Sequence, residues 1–190
     1  FMFISGVAIP YAIGSKIDKG ISKSLLQWKI IKRGLILVLF GILYNGALQK
    51  GFENLRYASV LGQIGLAYLF AATIFLHTKS IKARVLWLLG ILLIITFLQL
   101  FIPVPEHGYG YLLPDRGINA WLDQLLLPGR LHGETYDPEG ILCIVSATTV
   151  TLMGALTGSL LKTGSYSQLR KSLMLLISGV FLIILAVLLS

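Results

Sequence analysis

Val85-Leu-Trp-Leu-Leu-Gly-Ile-Leu-Leu-Ile-Ile-Thr-Phe-Leu-Gln-Leu-Phe-Ile102 carries no charge anywhere along it. As a helix it would extend about 27 Å and be apolar on every side, which suits the hydrocarbon core of a bilayer. Other runs of the same kind flank it. Reading outward, Ser59–Leu76 and Gly34 to about Leu48 precede it, while Ile141–Leu161 and Ser172–Ser190 follow. Phe1–Gly14 is apolar but shorter than a full span. The expected fold is therefore all-α: a polytopic transmembrane helix bundle of about six spans, with one long extracytoplasmic loop.

Composition agrees with this reading. Of the 190 residues 56% are hydrophobic and only 13% charged, with a mean hydropathy of +0.83. Soluble domains carry about 25% charged residues. A net charge of +8 would suggest nucleic acid in a soluble protein, but the distribution of the charge assigns it to the membrane instead. The stretches 15–33, 77–84 and 162–171 hold 6, 3 and 3 Lys/Arg, whereas 49–58 and 103–140 hold 2 each. Alternate loops divide 12 to 4, so by the positive-inside rule the first set is expected in the cytoplasm. Within 15–33, Trp28 and the apolar Ile21, Leu25, Leu26, Ile30 and Ile31 suggest that part of the basic stretch lies as an amphipathic helix at the interface.

The chain begins inside an apolar run without an initiator Met, so a membrane domain incomplete at its N-terminus is expected over 1–190. No internal repeat or linker divides it. The single cysteine, Cys143, excludes a disulfide framework. No metal site is expected, because His107 and His132 lie far apart in sequence with no other ligand at metal-binding spacing. Phosphate-cradling loops and nucleophile elbows are absent as well.

Six of the eight acidic residues, Glu106, Asp115, Asp123, Glu134, Asp137 and Glu139, fall in the polar stretch Pro103–Gly140. Its exit, Tyr136-Asp137-Pro138-Glu139-Gly140, admits two readings. Asp137 as N-cap followed by Pro138 at the first helical position would simply start the fifth span. Alternatively, Asp137 and Glu139 are two carboxylates that orient an amine or sugar hydroxyls at a membrane mouth. Arg56, just before the third span, either anchors to head groups or binds an anionic group. Asn45 and Gln63 are polar within apolar runs and should face the bundle interior. Gly154-xxx-Gly158, in a span rich in Ser, Thr and Ala, is a pattern for close helix approach; a polar groove for a long ligand is the sharper alternative.

Phe1-Met-Phe-Ile-Ser-Gly-Val-Ala-Ile-Pro10, Leu55-Arg56-Tyr-Ala-Ser-Val60-Leu-Gly-Gln63-Ile-Gly65-Leu-Ala-Tyr68, Phe101-Ile-Pro103-Val-Pro105 and Tyr136-Asp137-Pro138-Glu139-Gly140-Ile-Leu142 occur in that order. Together with Trp121-Leu-Asp123-Gln-Leu-Leu-Leu127, they resemble the membrane acyltransferases related to heparan-α-glucosaminide N-acetyltransferase and their bacterial relatives. The resemblance implies transfer of an acetyl group from cytosolic acetyl-CoA to an amino sugar or glycan on the outer face, without a metal. It implies a catalytic histidine upstream of Phe1, so the chain on its own is expected to be inactive. It also implies a bacterial inner (plasma) membrane location. Gly62-Gln63 stands where the family usually has Gln-Arg. Expected partners are membrane lipids, acetyl-CoA, the acceptor and a second copy of the chain, with no nucleic acid. Substrate-binding candidates are Asp137, Glu139, Arg56, Asn45 and Gln63. The competing class is a secondary transporter or lipid-linked sugar carrier, which should show paired broken helices or inverted repeats.

Overall fold

The computed structural model describes residues 1–50, 55–105, 107–110 and 112–189. Glu53 and Glu106 fall outside the described residues. Among those described, the chain is helical and has no strand, only two isolated β-bridges. The elements are α1 (Met2–Ile9), a π-helical turn (Pro10–Gly14), α2 (Ser15–Asp18), α3 (Lys23–Tyr44), α4 (Ala47–Lys50), α5 (Val60–His77), α6 (Ile81–Phe101), α7 (Ile118–Leu126), α8 (Ile141–Lys162) and α9 (Gln168–Leu189).

Four helices, α5, α6, α8 and α9, are each long and apolar enough to cross a membrane. The protein is an all-α integral membrane protein. Within the bundle, α5 and α8 are central, with 44% and 50% of their spans buried, against 17% for α6 and 6% for α9. The other two apolar runs read from the sequence take different forms. The first is α1, the π turn and α2 in succession, interrupted where Pro10 removes a backbone donor. The second begins at Lys23, not Gly34: it is one helix of 22 residues, and the basic stretch from Lys23 to Arg33 is its first half. A separate interfacial helix ending at Arg33 is thus not observed. Two loops are also shorter than expected, since Lys82 and Arg84 lie within α6, and Arg170 and Lys171 within α9.

Small residues fix the closest helix contacts. On α8, a Cβ at Gly154 would strike the carbonyl of Phe3, and one at Gly158 the carbonyl of Val7. Gly6 of α1 meets the Thr151 carbonyl in the same way. The Gly154-xxx-Gly158 pattern is therefore a packing surface for α1. Between α1, α3, α5 and α8 lies the main core, around Ile9, Ile30, Tyr68, Ala71, Ala72, Phe75, Leu152 and Ala155. The Thr hydroxyls of α8 that might have lined a polar groove bond back to its own carbonyls, as Thr148 does to Ile144 and Thr151 to Ala147.

Candidate functional site

Residues 55–58 lead into α5, and Ser59, itself extended, caps the helix by accepting the Gly62 N–H at 3.0 Å. That segment is tied on both sides. The Asn45 side chain at the end of α3 donates to the carbonyls of Arg56 (2.9 Å) and Ala58 (2.7 Å). From the long loop, Arg130 donates its N–H to the Leu55 carbonyl, and Gly129 forms a bridge with Arg56. Gly129 has φ +77°, and a Cβ there would collide with the Leu55 carbonyl.

So held, Arg56 reaches the exit of the loop. Its Nε donates to Asp137 Oδ2 at 2.8 Å and its Nη2 to Asp137 Oδ1 at 2.6 Å, a two-point clamp. Nη2 also pairs with Glu139 Oε2. The cluster holds two carboxylates and one guanidinium, leaving one net negative charge. The Asp137 side chain is fully buried, whereas Glu139 retains 14% exposure. Burial alone would raise the Asp137 carboxyl, but the hydrogen bonds from Arg56 and from the Glu139 N–H outweigh it and hold it below its ordinary value. Arg56 is raised in turn, chiefly by its hydrogen bond to Asp137.

The cap reading of Asp137-Pro138 requires correction. Helix α8 starts at Ile141, with Gly140 at the N-cap and no side chain of its own capping it. Asp137 instead closes a turn, accepting the N–H of Glu139 (3.0 Å) and of His132 (3.1 Å). The cap comes from another helix. Asp123 of α7, almost wholly buried, accepts the Ile141 N–H at 3.0 Å and the Asp137 N–H at 3.2 Å. Burial pushes the Asp123 carboxyl up, against the lowering effect of these two donors. Gly140 is glycine because a Cβ there would occupy the position of the Asp123 carboxylate.

Four of the five candidate residues read from the sequence thus meet: Arg56, Asp137 and Glu139 directly, and Asn45 through the backbone of Arg56. Gln63 sits one level deeper, donating to the Cys143 carbonyl of α8 at 3.2 Å. Sequence reasoning missed Asp123 as the hub. Its signal was an acid on the amphipathic run Ile118–Leu126, too short to stand out within a polar loop. His132 joins through its backbone only, and its side chain is exposed.

One cavity adjoins the cluster and a second lies farther along the loop. The first, of about 220 Å³, lies beside Asp137, lined by Gln99, Asn119, Tyr136 and Cys143 among others. The second, a cleft of about 290 Å³, includes Asp115, Arg116, Trp121 and Gln124. At the opposite end of α5 and α8 is a larger cavity of about 460 Å³ whose lining includes Lys23, Lys79, Arg84 and Lys162 against one acid, Asp18. Arg84 is buried there: it lies over the Phe75 ring (3.7 Å to the centroid) and donates to the carbonyl of Thr78 (2.8 Å). Its Nε has no hydrogen-bond partner among the described residues. Lys162 bridges the Pro10 carbonyl and Asp18 at 3.2 and 2.9 Å.

No family model matches the chain. Two curated proteins do resemble it: heparan-alpha-glucosaminide N-acetyltransferase of Mus musculus, 26% identical, and of Homo sapiens, 29% identical, each over 85% of this chain. The chain spans about a third of the length of these curated relatives, 32% in each case. The two matches support a distant family relationship.

Proposed function

Starting from that distant relationship, we propose that the chain is part of a membrane-embedded acyltransferase that passes an acetyl group from cytosolic acetyl-CoA to an amino sugar or glycan on the outer face. The observation that carries this reading is the Arg56–Asp137–Glu139 cluster. Two segments distant in sequence, both within the resemblance, are joined there into one anionic, partly open mouth. In this reading Asp137 is the positioning residue that aims Arg56, and Glu139, the more exposed carboxylate, receives the acceptor amine. The adjoining 220 Å³ cavity with Gln99 and Asn119 offers amide groups for sugar hydroxyls. At the far end, the basic cavity lined by Lys23, Lys79, Arg84 and Lys162 suits the phosphates of the donor. Acetyl transfer forms an amide C–N bond, breaks the thioester C–S bond and releases coenzyme A as its thiol. The acceptor must react as an uncharged amine, so its proton passes to a base, while the cluster contributes orientation and charge. A secondary transporter is not favoured by any particular contact.

The test uses the full-length protein in proteoliposomes, with labelled acetyl-CoA and glucosamine on opposite sides. Glu139→Gln is expected to lower turnover by about tenfold, equivalent to about 1.4 kcal/mol of transition-state stabilisation, while thermal stability stays near that of wild type. Lys162→Gln should instead raise the KM for acetyl-CoA. Wild-type turnover in Glu139→Gln, or no acetyl transfer to any amino sugar, would overturn the reading.

A further inference from the structure

The face of α3 that carries Lys29 and Arg33 fits neither lipid nor the packed core. Its depth follows from its register against α5. The Gln27 amide of α3 donates to Thr73 Oγ1 at 2.9 Å, a Cβ at Gly34 would press on Leu69 and the Gly65 carbonyl, and Asn45 bonds the Ala58 carbonyl. Arg33 consequently lies level with Tyr68, its guanidinium 4.6 Å from the ring centroid. Tyr68 is the midpoint of α5: it stands 8 residues from Val60 and 9 from His77 (68 − 60 and 77 − 68), or about 12 and 13 Å along the helix. Since α5 is long and apolar enough to cross a membrane, Arg33 lies level with the middle of that span. No carboxylate forms an ion pair with it among the described residues.

The exposed side of α3 changes character at this level. Outward of Arg33 it presents Leu35, Leu39, Phe40 and Leu43, as a lipid-facing helix does. From Arg33 inward it presents Arg33, Lys32 and Lys29, interleaved with the exposed Leu25 and Trp28, and ends at Lys23 on the wall of the basic cavity. A second polar group marks the same inner half: the Gln27 side-chain oxygen is buried without a hydrogen-bond partner among the described residues. Charges facing hydrocarbon are costly, and in membrane proteins they face water-filled cavities or protein partners. A second copy packed through this face would oppose like charges. Water entering from the basic end would solvate Lys29 and Arg33 and leave the outer half of α3 to lipid.

We propose that the inner half of α3 borders a water-filled vestibule open at the basic end of the bundle, and that Arg33, backed by Tyr68, holds a phosphate-bearing anion at mid-membrane depth. The buried ring fixes one face of the guanidinium and the Tyr68 hydroxyl engages part of its N–H edge, leaving the remaining N–H groups for the anion. The proposal stands apart from acetyl transfer and does not need it.

The experiment uses the full-length protein in inside-out and right-side-out vesicles, with Cys143→Ser and single cysteines at Lys29, Arg33 or Phe40. A membrane-impermeant thiol reagent added at the basic end should modify Lys29→Cys and Arg33→Cys about tenfold faster than Phe40→Cys. Equal, slow modification of all three would overturn the vestibule. The anion is then read with Lys29→Cys as reporter and Arg33 intact. Protection by millimolar inorganic pyrophosphate identifies a soluble phosphate; slower labelling in phosphatidylglycerol than in phosphatidylcholine vesicles identifies a lipid head group. Arg33→Gln should abolish whichever protection is seen. Absence of both protections, or protection that survives Arg33→Gln, would overturn the anion site.

Discussion

Asp137 accepts four hydrogen bonds, two from Arg56 and one each from the N–H groups of His132 and Glu139. Asparagine would retain one acceptor oxygen and turn an amide toward the guanidinium, leaving Arg56 short of a partner. Asp137→Asn should therefore cost about 2–4 kcal/mol, measured by thermal unfolding in detergent, and a change under about 0.5 kcal/mol would reduce the clamp to a surface ion pair. The pH dependence has a definite sign. With its folded-state value depressed, Asp137 contributes stability that is present above the unfolded carboxylate value of about 4 and lost as the pH falls through the folded one. Asp123 acts oppositely: its raised carboxyl contributes most below the unfolded value, and that contribution is lost as pH rises through the folded value. Asp137→Asn should accordingly flatten the acid limb of the stability profile. Gly140→Ala keeps every polar group but drives a methyl into the Asp123 carboxylate. It should cost about 2–4 kcal/mol through two lost charge-assisted hydrogen bonds, and an unaffected melting temperature would count against Asp123 as the cap of α8.

Helix α8 connects the two ends of the molecule. Its first residue is tied to α7 by Asp123, its middle carries α1 on Gly154 and Gly158, and its last residue, Lys162, reaches the π turn after α1. The proline explains that turn. Pro10 donates no hydrogen bond, the helix widens, and the Pro10 carbonyl accepts from Lys162. Gly154→Leu would press a branched side chain against the backbone of Phe3 and Val7. A loss of about 1–3 kcal/mol is expected, with α1 detaching first. Hydrogen exchange should therefore rise in Met2–Ile9 before it rises in α5. Uniform protection of both helices in this variant would show that α1 is not held by the glycine surface.

For the whole bundle, the acidic end with α7 and the basic end with Lys23, Lys79 and Lys162 lie on opposite sides. By the positive-inside rule we propose that the basic end faces the cytoplasm. Cysteines at the exposed Ser22 and Leu112, in a Cys143→Ser background, should label from opposite faces of sealed vesicles, and labelling from one face would reverse the arrangement. Exposure of α9 along nearly its whole length matches a helix surrounded by lipid.

Four of the apolar runs, those that form α5, α6, α8 and α9, were legible as candidate spans in the chain itself, because the cost of placing charge in hydrocarbon is a local property of composition. The same holds for Gly154 as a close contact, marked by residue type within a single run. Polar Asn45 and Gln63, each satisfied by a neighbouring segment, were also expected to turn inward for that reason. The partnership of Arg56 with Asp137 and Glu139 joins residues 81 and 83 positions apart, and no periodicity relates them. The cap of α8 likewise comes from Asp123, 18 positions upstream, so a local reading of Asp-Pro gave the cap to the wrong acid. The continuity of α3 through its basic half is the third such case. Its charges interrupt the apolar pattern when read alone, but α5 packs along it at Gln27, Gly34 and Asn45, and this long-range contact outweighs local polarity.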